Sequence, residues 1–128
     1  MQVIPVIDLK ADSNNQCQVV HAKHGQRDAY QPIQSAICNT SEPLQVVHAL
    51  VKLYPFRSIY IADIDAITNN GNHFEQIELL SGLYPQVTWW IDNGVRNVNA
   101  RILLAPQDNL RAVLGSENVH SLEDYRAI

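Results

Sequence analysis

Hydrophobic residues recur along the chain in two alternating rhythms. Short unbroken apolar runs are followed by stretches with apolar residues every three or four positions. Val3–Leu9 (Val-Ile-Pro-Val-Ile-Asp-Leu), Arg57–Ile64, Val87–Ile91 and Leu110–Leu114 are runs of the first kind. Unbroken runs of this length mark strands covered on both faces, as in a parallel sheet. Between them, Leu44, Val47, Leu50, Val51 and Tyr54 fall on one helical face, opened by Ser41 and Pro43 and stopped by Pro55. Phe74, Ile77, Leu80 and Tyr84 repeat the pattern behind an Asn72 cap and end at Pro85. Val98, Ile102 and Leu103 mark a shorter helix that begins after Asn97 and breaks at Pro106. Ser121–Asp124 fits the S-x-x-D start of a fourth, of which the 128-residue sequence holds barely two turns. Gln16–Ala22 follows the polar turn Asp12–Asn15 and reads as an extra strand forming a hairpin with the first. Lys23–Ser41 is polar and has no apolar period, so it reads as a long loop.

Strands that alternate with helices imply right-handed βαβ crossovers and an α/β fold on a parallel sheet. The spacing matches a (β/α)₈ barrel, in which eight units take roughly 250 residues. Four units are present. The predicted architecture is a single domain over residues 1–128, the (β/α)₄ half of a TIM barrel with an extra β-hairpin after strand 1.

Composition narrows the setting. A net charge of −4 gives no reason to expect nucleic acid or an anionic membrane as partner. No apolar run reaches the length of a membrane span, and the N-terminus enters a strand pattern without a signal peptide. Cys17 and Cys38 lack CxxC spacing. Two such cysteines suit reduced thiols in a cytoplasmic protein, with a disulfide between them as the alternative.

Candidate chemistry collects where the strands end. Asp8 closes the first apolar run and suits acid/base work; its bland reading is a solvated strand-end carboxylate. Asp92-Asn93-Gly94 turns the chain from the third principal strand toward a helix start. Free backbone N–H groups there can hold an anion. The alternative is an ordinary βα turn that binds nothing. Asp63 and Asp65 stand at the end of their strand, and hydrogen bonding suits the pair better than catalysis. Asp8, Asp63 and Asp92 could meet at one rim around a hard cation, but nothing else calls for a metal or cofactor. His21 and His24 lack ligand spacing. Trp89 and Trp90 face opposite sides of one strand, and core packing explains both.

Six segments, in order, resemble the histidine-biosynthesis β/α barrels. They are Val3–Leu9, Gln18–Val20, Gly25–Tyr30, Ala62–Ala66, Asn93–Arg96 and Val113–Ser116. That family holds the phosphoribosylformimino-5-aminoimidazole carboxamide ribotide isomerase and the cyclase subunit of imidazole glycerol phosphate synthase. The likeness spans this chain but only the N-terminal half of such a barrel, and is greatest to isomerase-like paralogues. It implies a phosphosugar site at the C-terminal strand ends. Asp8 would match the carboxylate that moves protons in an Amadori-type aldose–ketose rearrangement. Gly94, Val95 and Arg96 with Gly115 and Ser116 would match one of two phosphate sites. The partner carboxylate and second phosphate site belong to the half not present. Two positions depart from the family: Asp92-Asn93-Gly94 stands for its usual three glycines, and His21 for a common Arg. A carboxylate beside a phosphate is repulsive, so the substrate need not be the histidine intermediate.

Half a barrel leaves two unpaired edges and an uncovered inner face. A second copy around a twofold axis, a separate chain, or the remainder of a longer barrel would complete it. A homodimer or higher homo-oligomer is favoured. The contrasting reading is a non-catalytic phosphate-ligand-binding or assembly subunit, or a fragment of a full-length barrel.

Overall fold

The computed structural model describes residues 1–23, 26–94 and 107–115. Its elements are β1 (Val6–Ala11), β2 (Cys17–Lys23), β3 (Gln26–Pro32), α1 (Pro43–Leu53), β4 (Ser58–Asp63), α2 (Ile64–Ile67), α3 (Phe74–Leu83), β5 (Thr88–Asp92) and β6 (Leu110–Ala112). The six strands form one sheet in the order β3-β2-β1-β4-β5-β6. β1, β4, β5 and β6 run parallel, while β2 and β3 add antiparallel strands beyond β1. The chain is thus an α/β protein on a mostly parallel sheet. The helices expected near Val98 and Ser121 lie outside the described residues.

Helix α1 forms where the apolar period and its signals agree. Pro43 supplies the fixed φ of the first turn, and Glu42 accepts from the Leu44 and Gln45 N–H groups as N-cap. Tyr54 is the C-cap and is exposed rather than on the buried face. Helix α3 follows His73, not Asn72, although the Asn72 side chain accepts from the Phe74 N–H.

Two sequence expectations are corrected here. Part of the Lys23–Ser41 segment is not loop: β3 pairs with β2 there. As an antiparallel edge strand built from polar residues, it lacks the apolar run by which a buried strand is recognised. Asp65 is not on a strand either. The strand ends at Asp63, which caps the single turn α2 that contains Asp65.

The parallel strands appear in the sheet in their chain order, so each crossover steps the same way. Right-handed crossovers that never reverse direction put their helices on one face, whereas a doubly wound sheet reverses and is covered on both. The packing agrees. Ile7, Leu9, Ile59, Ile61, Trp89 and Ile91 project to one face and form a single core with Val46 and Val47 of α1 and Ile77 and Leu80 of α3.

The opposite face is a different surface. Register sets Val6, Tyr60, Trp90 and Arg111 in one row across it, with Asp8, Ala62 and Asp92 in the next row toward the strand C-termini. Val6 is 67 % and Trp90 38 % exposed, against 0 % for Trp89. The expectation that both tryptophans are core residues therefore holds for Trp89 alone.

Candidate functional site at the strand C-termini

Asp8 and Asp92 are carboxylates of the face opposite the described helices. Each is the register partner of Ala62, from opposite sides. Two strand spacings put their Cα atoms about 10 Å apart. Asp8 is half-buried, and that burial pushes its pKa above the ordinary carboxylate value. A carboxyl that keeps its proton to higher pH suits a general acid/base better than a solvated one does.

Asp92 is committed to its neighbours. Tyr60 Oη donates to Asp92 Oδ2 at 2.9 Å, and the Gly94 N–H donates to Asp92 Oδ1 at 3.3 Å. One of the amides expected to hold a phosphate thus has a carboxylate in front of it. Gly94 itself cannot carry a side chain without strain. Its φ is +75°, and an added Cβ would lie 3.0 Å from the Ile67 Cα. Asn93 is buried. Gly115 lies just beyond β6, the neighbour of β5. Val95, Arg96 and Ser116, the remaining members of the expected phosphate site, lie outside the described residues.

Asp63 and Asp65 do not join Asp8 and Asp92. Asp63 is the register partner of Leu9 and follows Ile61 by two positions, so it faces the helices. Its Oδ1 accepts from the Ala66 N–H at 3.1 Å and its Oδ2 from the His73 N–H at 2.7 Å. Burial raises its pKa, and those two N–H donors oppose the rise without cancelling it. Asp65 Oδ2 accepts from the Ala11 N–H and contacts His73 Nε2, both at 2.7 Å, while Lys10 Nζ lies 3.6 Å from Oδ1. Burial works against the charge of Asp65, but the Ala11 N–H, His73 and Lys10 outweigh it and hold the carboxyl below its usual range. The two carboxylates therefore grip His73 by backbone and ring, and pin the β4–α3 connection to the end of β1.

Sequence reasoning missed this clasp because His73 precedes a helix and belongs to no motif. The available signal was two carboxylates around a strand end with a histidine eight residues after the second. Among the described residues no group of three or more His, Cys, Asp or Glu is placed to hold a metal ion. The opposite facing of Asp63 explains why the rim carboxylates do not converge.

Cys17 and Cys38 are free, half-buried thiols packed against the core. Burial, helped by Asp63, Asp65 and Glu42, pushes the Cys17 thiol up to about 12, which makes it unreactive at neutral pH. His21 is exposed on β2, and His24 lies outside the described residues. No helix among the described residues is long and apolar enough to cross a membrane.

An uncharacterized protein of Methanocaldococcus jannaschii is 33 % identical over 123 residues, covering 96 % of this chain and 51 % of the relative. The chain spans about half the length of the curated relative it matches. No protein-family model matches the chain. No solved structure matches it.

Proposed function

We propose that this chain is one half of a phosphosugar-isomerase-like β/α barrel of the histidine-biosynthesis type. In the completed barrel, Asp8 is the acid/base group of an Amadori-type aldose–ketose rearrangement. The observation that carries the reading is the one-sided sheet. α1 and α3 cover one face, and the other presents Asp8 at the strand C-termini, where barrel chemistry is built. The relative supports it: 123 residues are 51 % of its length, so it is the size of an eight-unit barrel. The reaction needs one group to protonate the ring oxygen or aldimine nitrogen and another to take the C2 proton. Asp8 is the member this half supplies, and the second comes from the strands that complete the ring. A phosphorylated small molecule is the substrate, bound without cofactor or metal. The free thiols suit a cytoplasmic setting.

One observation favours a second reading, a non-catalytic subunit that serves assembly rather than phosphate binding. Asp92 occupies the Gly94 N–H that an anion would use. Asp8→Asn separates the two. With the histidine-pathway ribotide as probe, the isomerase reading expects turnover by the assembled protein and a loss of roughly 10²–10⁴-fold in the variant, with melting temperature and mass unchanged. An unimpaired variant overturns Asp8 as the acid/base group, and no turnover of the ribotide by the unaltered assembly overturns the histidine-biosynthesis assignment. The assembly reading expects no turnover by either protein and a melting temperature that phosphate leaves unchanged.

A further inference from the structure

The two lateral edges of the parallel sheet have complementary main-chain groups. β2 pairs with β1 only from Asp8 to Ala11, so the hairpin covers just the second part of that edge. The expected fully open edge is thereby corrected to a shorter one. Pro5–Ile7 have β4 on one side and no described strand pairing on the other.

Hydrogen bonding shows which groups point outward. The Tyr60 N–H donates to the Pro5 carbonyl, so Pro5 faces β4. Alternate residues of a parallel strand bond to opposite neighbours, which turns the N–H and C=O of Ile4 and Val6 away from β4. Pro5 thus has its missing donor on the side already paired. Val3, Ile4 and Val6, 61 %, 42 % and 67 % exposed, make this edge apolar.

At the other edge, the Trp89 N–H donates to the Asn109 carbonyl and the Val113 N–H to the Ile91 carbonyl. The same alternation turns Leu110 and Ala112 away from β5. The Leu110 N–H is used by the Gln107 carbonyl and its C=O accepts from the Arg111 guanidinium at 2.9 Å, which leaves both groups of Ala112 outward.

We propose that β6 of one copy pairs in parallel with Val3–Ile7 of a second copy, and reciprocally, closing a ring of eight parallel strands. The inference rests on the half-barrel reading and names the partner that completes the site. A second copy fits because both edges belong to the same chain and run in the same direction. One twofold rotation therefore makes two identical junctions and leaves neither edge of the parallel sheet open. The length of the relative, about two such halves, is that of the ring so formed. The hairpin acts as a stop. Since β2 holds β1 from Asp8 onward, the incoming strand is confined to Val3–Ile7, and the three residues of β6 fit within that span.

Val6→Pro and Ala112→Pro each remove one outward N–H that no pairing within the described sheet uses. Light scattering on the wild type should give twice the chain mass of 14.4 kDa. Each variant should keep its far-UV circular dichroism and fall to the single-chain mass. In the wild-type dimer the Val6 and Ala112 amides should exchange slowly with deuterium, a readout that needs no variant. Dimers that survive both substitutions, or fast exchange at both amides, overturn the junction and leave the half-barrel reading standing. A well-folded wild-type monomer overturns both. A mass above the dimer overturns the closed ring.

Discussion

Trp89→Ala is expected to lower the stability of the fold by about 3–5 kcal/mol, the range for truncating a buried aromatic side chain. Trp89 is fully buried on the helix-covered face, in register with Ile59 on one side and Leu110 on the other. Its indole N–H donates to the Tyr84 carbonyl at 3.3 Å, so it also ties β5 to the end of α3. Alanine would leave a cavity between sheet and helix, while the Tyr84 carbonyl would keep the Val87 N–H as donor. A domain of this size is stabilised by about 5–15 kcal/mol in total, so one substitution removes a large part of it. Urea denaturation measures the loss, and a cost below about 1 kcal/mol would mean that Trp89 is not the centre of this core.

Asp63→Ala should cost about 2–3 kcal/mol, through hydrogen bonding rather than packing. The carboxylate caps α2 through the Ala66 N–H and holds the His73 N–H. Losing a cap costs about 1 kcal/mol, and a buried donor left without a partner about 1–3 kcal/mol. Part of this is offset, because burying the Asp63 charge is itself unfavourable, as its raised pKa shows. Asp63→Asn should fall between wild type and Ala, since its one remaining oxygen can serve one donor well but not both. Equal stabilities for all three proteins in urea would show that the clasp contributes nothing.

The elements legible in the letters are those whose two signals coincide. α1 has both an apolar period and Pro43 at its start, and β4 and β5 are unbroken apolar runs between turn residues. β3 was illegible because an antiparallel edge strand needs main-chain partners more than apolar side chains. Gln26–Pro32 carries little of the second. At the site, Asp8 was readable from its place at the end of an apolar run. The division of Asp63 from Asp8 was not, because it depends on cross-strand register. The Asp65–His73 contact joins residues eight apart across a turn that no periodicity describes. Asp92 in front of the Gly94 N–H was foreshadowed by its departure from a glycine, but its bond to Tyr60 required the pairing of β4 with β5.

The side of the sheet that no described helix covers is the feature from which the isomerase reading and the dimer both grow. Collisional quenching of tryptophan fluorescence by acrylamide probes it in the unaltered protein, which has two tryptophans. Trp89 is sealed in the core, so any accessible emission belongs to Trp90. If further strands close over that side, quenching should be weak at the working concentration and should strengthen on dilution or in the Val6→Pro variant. A folded protein whose Trp90 is quenched about as readily as free indole at every concentration would contradict the account.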